Sequence, residues 1–251
     1  MTFWDHLDEL RDTIVRMLVV VVVAAVVAFL LKDELFGVVL APKENGFIFY
    51  RLLGRLSESM GGGMEDFSVQ LVNTGLAQQF ITHMKVSFCA GILCASPYIV
   101  YKIFDFVSPA LYERERRYTL PVVVSGYLLF VLGVLLAYFV IFPLTFRFLG
   151  TYQVSAEVSN MISLESYIST LLMLCLMMGV MFEIPIVCWL LAKFGVLDAS
   201  WMAAHRRHAF VVVLILSAII TPTSDVFTLM VVALPIVLLY EVSIIVVRRT
   251  V

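Results

Sequence analysis

The sequence predicts an all-α integral membrane protein with six transmembrane helices and both termini cytoplasmic, arranged as a concave bundle whose fifth and sixth helices are short. Three observations predict it. Hydrophobic residues make up 62% of the chain and charged residues 14%, against roughly 45–50% and 25% in soluble domains. The apolar residues are drawn out into runs rather than spaced at helical or strand period. The basic residues gather in alternate loops. Residues 1–251 read as a single polytopic domain without internal repeat or low-complexity tract.

A helix needs about 20 apolar residues to cross the hydrocarbon core, and only helices or closed barrels satisfy their backbone polar groups there. Runs at 14–31, 76–101, 118–146 and 166–192 meet that length comfortably. The fifth, at 209–224, holds a purely apolar stretch of only 12 residues, Ala209 to Ile220, about 18 Å of helix at 1.5 Å per residue. Thr221, Pro222, Thr223, Ser224 and Asp225 then form a turn signal, and a clean run follows at 226–247. This pattern suggests a short helical hairpin with local bilayer thinning. The N-terminus, with Asp5, Asp8, Glu9 and Asp12 against Arg11 and Arg16, lacks the positive start of a cleavable signal peptide, so the first run is expected to remain as a span.

Six spans put both termini on one side. Eleven basic residues fall there: Arg11, Arg16, Lys102, Arg114, Arg116, Arg117, Lys193, Arg206, Arg207, Arg248 and Arg249. Five fall opposite, namely Lys32, Lys43, Arg51, Arg55 and Arg147, and Lys85 lies inside the second run. The richer side is the cytoplasmic one. Residues 32–75 then form an extracytoplasmic cap, with Gly61, Gly62 and Gly63 at a flexible tip.

A net charge of -2 gives no case for nucleic-acid binding or a polybasic lipid-binding arm. Cys89, Cys94, Cys175 and Cys188 all lie within apolar runs and read as small packing residues. There is no phosphate-binding glycine loop, dinucleotide motif or paired metal-ligand motif. Neither an enzyme nor a cofactor is expected. His205 and His208 flank Arg206 and Arg207 as an interfacial anchor, and His83 has no assigned role.

Prolines 97, 121, 143, 185 and 235 interrupt the runs and are expected to bow the helices. Glu183 lies deep in the fourth run, where inserting a charged side chain costs about 2.5–3.5 kcal/mol on the translocon scale. It needs a partner or a water-filled cavity. Glu241, near the cytoplasmic end of the last run, suits a structural hydrogen bond or interfacial exposure. The cytoplasmic face also carries Asp5, Asp8, Glu9 and Asp12 in the tail and Asp105, Glu113 and Glu115 in the first loop, which either pair locally with the neighbouring arginines or form a binding site.

These residues, in order, resemble the TatC family, the multi-spanning subunit of the twin-arginine protein translocase. His6-Leu7-Asp8-Glu9-Leu10-Arg11 is similar to the family's N-terminal motif, and Ser108-Pro109-Ala110-Leu111-Tyr112 with Glu115-Arg116 to its first cytoplasmic loop. Tyr138-Phe139 with Pro143 and Phe182-Glu183 with Pro185 resemble the third and fourth spans. Thr221-Pro222, Asp225, Phe227, Pro235 and Tyr240-Glu241 resemble the closing hairpin.

The resemblance implies an inner-membrane receptor for signal peptides bearing two consecutive arginines, exporting folded proteins on the proton-motive force. It implies that Glu9 and Glu115 read the arginines, with Leu10, Arg11, Phe106, Pro109 and Tyr112 shaping the patch. It also implies that Glu183 faces small single-span TatA/TatB-type subunits, that the chain self-associates within the complex, and that Pro185, Pro222, Asp225 and Glu241 are structural. Residues 43–73 follow no pattern of the family, and Glu113 competes with Glu115 for the reading role. A proton-coupled small-solute transporter, with Glu183 as proton carrier, is the alternative, and a structural scaffold is a third reading.

Overall fold

A computed structural model describes residues 3–59, 69–107, 119–155, 160–222 and 225–249. The chain is mostly helical: α1 (Phe3–Leu30), α2 (Lys32–Leu40), α3 (Ile48–Ser59), α4 (Gln78–Val107), α5 (Thr119–Leu136), α6 (Phe142–Thr151), α7 (Leu164–Met181), α8 (Ile184–Lys193), α9 (Ala199–Ala204), α10 (Arg206–Ile220) and α11 (Val226–Arg248). Two short strands, β1 (Leu71–Val72) and β2 (Ile162–Ser163), pair in parallel and join the cap to the start of α7.

Among the described residues, five helical segments are long and apolar enough to cross a membrane: Leu7–Leu30, Gln78–Phe106, Leu120–Thr151, Leu164–Lys193 and Val226–Arg248. The remaining apolar segment, α10, which is the fifth run of the sequence, has 15 residues and spans only about 22 Å. The expectation of a short sixth helix is corrected, because α11 runs for 23 residues, about 35 Å. Its start is fixed by Asp225, whose carboxylate accepts a hydrogen bond from the Thr228 amide at 2.6 Å. Only the first arm of the hairpin is short.

Among the described residues, helix α1 packs on α4 and on little else. Val15, Leu18, Val19, Val22, Val23, Val26 and Val27 remain exposed along it. In water such a surface would drive association; against lipid tails it costs nothing, and packing decides helix contacts. The contact is close at Gly91, where an added Cβ would lie 2.8 Å from the Val21 carbonyl and from Ala25. Helices α5 and α7 meet in the same manner at Gly133, where a Cβ would come within 2.5 Å of the Met178 carbonyl oxygen.

Two spans are broken by proline. Pro143 lacks an amide, and its ring would strike the carbonyl of Phe139 in a regular helix. A π-turn over Ala137–Ile141 widens the backbone ahead of it, and α6 resumes at Phe142. In the fourth span, Pro185 sits in the first turn of α8, and the backbone tightens at Glu183, whose amide bonds to Val180. After α8, Gly195 adopts φ +69°. It closes the helix with amide bonds from Gly195 to Ala192 and from Val196 to Leu191.

The best-buried core lies around α6 and α7: Phe142, Tyr167, Ile168, Leu171, Leu174 and Met178 are all at most 2% exposed. All four cysteines are free thiols.

The cap at 32–75 is partly helical and attached to the bundle by side-chain hydroxyls. Tyr167 donates to the Val39 carbonyl at 3.1 Å, Tyr138 to Val38 at 2.6 Å, and Tyr50 to Pro143 at 3.1 Å. The expected glycine tip, residues 61–63, lies outside the described residues.

Candidate functional site

The candidate recognition patch is carried by the tips of α1 and α4. These helices run antiparallel, with Phe29 stacked on His83 at one end and Val21 and Ala25 against Gly91 nearer the middle. Continued at the same rise per residue, that register brings Glu9 level with 103–107, the last turn of α4. Glu9 and Arg11 are exposed there, and Leu10 and Phe106 are partly buried. Pro109, Tyr112, Glu113 and Glu115 lie outside the described residues. They follow α4 directly in the chain.

Local pairing takes some, not all, of the charges at this end. Arg16 pairs with Asp12 at 2.5 Å and Lys102 with Asp105 at 3.0 Å. Both are neighbours on one helix face, where such pairs are worth only a few tenths of a kcal/mol. The Glu9 carboxylate has no ion-pair partner among the described residues.

The intramembrane carboxylate stands at the break in the fourth span, between α7 and α8. One oxygen of Glu183 is buried without a hydrogen-bond partner among the described residues. The other faces Gly126 of α5, where an added Cβ would sit 3.2 Å from it. Val100 of α4 and Ile186 of α8 close in on the same glycine. Sequence reasoning found Glu183 but not Gly126, which leaves the room its carboxylate occupies. Beside it, Pro121 and Ser125 of α5, Pro185 and Trp189 of α8 and Val242 and Val246 of α11 line an apolar groove of about 510 Å³.

The closing hairpin accounts for two further residues. Glu241 is held by Arg206 through two parallel hydrogen bonds, at 2.8 and 2.9 Å. Pro222 lies in the exposed turn after α10, and the Thr221 hydroxyl donates back to Ser217.

A polar junction at the opposite end was not anticipated. Glu165, in the first turn of α7, pairs with Lys85 at 2.9 Å and accepts from Gln78 at 3.4 Å. The Gln78 amide oxygen in turn accepts from the Thr74 and Gly75 amides. The available signals were weak: an acid in the first turn of a run and a lysine near the start of another.

The family model described as Sec-independent protein translocase protein (TatC) matches residues 5–235. The chain belongs to the TatC family. Among its relatives is the Sec-independent protein translocase protein TatC of Blattabacterium sp. subsp. Periplaneta americana, 32% identical over 250 residues, covering 97% of this chain and 94% of that protein. The Desulforapulum autotrophicum protein of the same description is 34% identical, covering 97% of this chain and 83% of that protein. A crystal structure of the twin-arginine translocase receptor TatC superposes with a TM-score of 0.79 at 31% identity, covering 98% of this chain and 99% of that one. Membership of the TatC family, together with five membrane-length apolar helices, makes this chain a multi-pass inner-membrane protein.

Proposed function

We propose that this protein is the signal-peptide receptor of a twin-arginine translocase, carrying folded precursors across the inner membrane on the proton-motive force. The observation that carries the reading is the family match along nearly the whole chain, joined to an exposed Glu9 at the tip of the α1–α4 pair. Six spans with both termini cytoplasmic, α10 being the short fifth, belong to the same proposal.

Glu9 and Glu115 form a two-pronged acidic site. Each guanidinium of a twin-arginine motif is a planar fork that a carboxylate holds through parallel, charge-assisted hydrogen bonds, and a lysine offers only a point charge. Leu10, Arg11, Phe106, Pro109 and Tyr112 shape the patch. Losing one carboxylate costs about 2–5 kcal/mol where the pair is desolvated. Glu183 meets a polar residue of a single-span TatA/TatB-type subunit, and its unsatisfied oxygen supports that assignment. Several copies of the chain assemble in the complex.

Photo-cross-linking of a twin-arginine precursor to membranes tests the receptor role. Glu9→Ala or Glu115→Ala is expected to abolish cross-linking at normal protein level, Glu113→Ala to be milder, and a twin-lysine precursor to bind weakly. Wild-type cross-linking in both alanine variants would show that the arginines are read elsewhere. For Glu183, glutamine should retain partial transport and alanine should lose partner recruitment; equal loss of transport in both favours the proton-carrier alternative.

A further inference from the structure

We propose that the α10–α11 groove binds an anionic phospholipid from the surrounding bilayer, its phosphate at Arg207 and an acyl chain between the two helices. The groove measures about 370 Å³ and has two unlike ends. Its walls are Ala209, Phe210 and Val213 of α10 and Val237 of α11, and its mouth is Arg206, Arg207, Tyr240 and Glu241.

The charges at the mouth are not equivalent. Arg206 is bound to both oxygens of Glu241, so this pair is internally neutral. Arg207 is exposed and has no acidic partner among the described residues. The site therefore carries one uncompensated guanidinium, suited to bidentate phosphate binding. The adjoining backbone has the same polarity. His205, which precedes α10, makes no side-chain cap, and the amides of Arg206, Arg207 and His208 open the 15-residue helix.

Depth in the membrane fits a headgroup. Trp201, 57% exposed and stacked on His205, lies immediately before the mouth. Tyrosine and tryptophan at that level are characteristic of the boundary between acyl chains and headgroups. Tyr240 donates to the Met202 carbonyl at 2.9 Å and thereby holds α9 against α11, fixing the rim of the groove. Phe210 remains 49% exposed on the outer surface, as expected of a side chain lying along an acyl chain. The occupant thus needs a negative head and an apolar tail, and the bilayer supplies it.

Native mass spectrometry of the full chain in a neutral detergent, with equimolar phosphatidylglycerol and phosphatidylcholine of equal chain length, tests the proposal. Phosphatidylglycerol adducts should be enriched about fivefold, the factor for one arginine near an anionic surface. Arg207→Gln should remove that enrichment. Ala209→Phe fills the groove without altering charge and should also reduce it, whereas excess inorganic phosphate should leave it intact. Equal adducts of the two lipids in the wild type, or unchanged enrichment in Arg207→Gln, would overturn the proposal. So would an unaltered result in a folded Ala209→Phe, which would mean surface charge alone. A protein that co-purifies in the groove and reduces both lipids equally would also count against it. Arg207 is exposed, so its variant decides the matter even if Ala209→Phe misfolds.

Discussion

The two ends of this bundle are built on different physics. At the cap end, the hydroxyls of Tyr50, Tyr138 and Tyr167 reach backbone carbonyls on segments 93 to 128 residues distant in sequence. Tyr167 is also wedged edge-on against Phe142 and Phe146, each at 5.0 Å. At the end where α1 begins and α4 stops, the ion pairs lie on one helix face or in the half-exposed Arg206–Glu241 pair, and the long-range hydroxyl-to-carbonyl bond there, from Tyr240 to Met202, is only part-buried. A buried carbonyl that loses its hydroxyl donor is left an orphaned acceptor, whereas an exposed ion pair that opens is taken up by water. The cap end is therefore fixed mainly by packing and buried hydroxyls, with the exposed Lys85–Glu165 pair beside them, and the opposite end keeps carboxylates available to a ligand.

The sharpest way to break this contrast is at Tyr167. Tyr167→Ala should destabilise the protein by about 3–5 kcal/mol, the range for emptying a large aromatic site. Tyr167→Phe keeps the ring but orphans the Val39 carbonyl, and should cost about 1–3 kcal/mol. Reversible unfolding in mixed micelles measures both variants, with proteolysis in the 32–75 cap as the local readout. A phenylalanine variant as stable and protease-resistant as the wild type would mean that the hydroxyl contributes nothing.

The same contrast explains what could be read in the sequence. Apolar runs and basic loops reveal spans because the bilayer penalises every charge and every unpaired amide along about 30 Å. The short fifth run is visible for the same reason, and Asp225 was read as part of the turn that ends it, whereas its cap on α11 is visible only in the structure. The cap was opaque. Its attachments are tyrosine hydroxyls meeting carbonyls across long loops, and a carbonyl has no sequence signature. Glu183 was legible as a lone acid in an apolar run. That it stands at a helix break follows from Pro185, but the matching space at Gly126 depends on how α5 packs. Glu9 was legible by motif, and its alignment with the end of α4 became visible only through the Phe29–His83 and Val21–Gly91 register.

A smaller effect is expected at the Arg206–Glu241 pair, despite its bidentate geometry. The side chains are 54% and 42% exposed, so solvent screens most of the attraction. A double-mutant cycle with Arg206→Gln and Glu241→Gln should give a coupling below about 1 kcal/mol, declining further in high salt. A coupling of about 3 kcal/mol would put this end in the same class as the cap and collapse the distinction.

The smallest effect lies at Asp198, before α9, and its sign is fixed by titration. The Ser200 hydroxyl donates to the Asp198 carboxylate, and this bond, more than any other influence, holds the pKa below the ordinary carboxylate value. The backbone amides of Ala199, Ser200 and Trp201 act in the same direction, and the slight desolvation opposes them. A folded-state pKa depressed below the unfolded value, about 3.9 for aspartate, means that the ionised form is favoured by folding. The stabilisation is therefore fully present above about pH 4 and is lost as pH falls through the folded pKa. Ser200→Ala should raise the Asp198 pKa towards its ordinary value, which NMR of the labelled carboxyl would read directly. The difference in thermal midpoint between wild type and Ser200→Ala should then be level near neutral pH and shrink on acidification. A difference that stays constant into strong acid would assign the serine's contribution to local helix propensity and leave the carboxylate out of it. Because the group is fully solvated, the stabilisation is expected to be small even at neutral pH, as befits an end of the molecule rich in exposed charge.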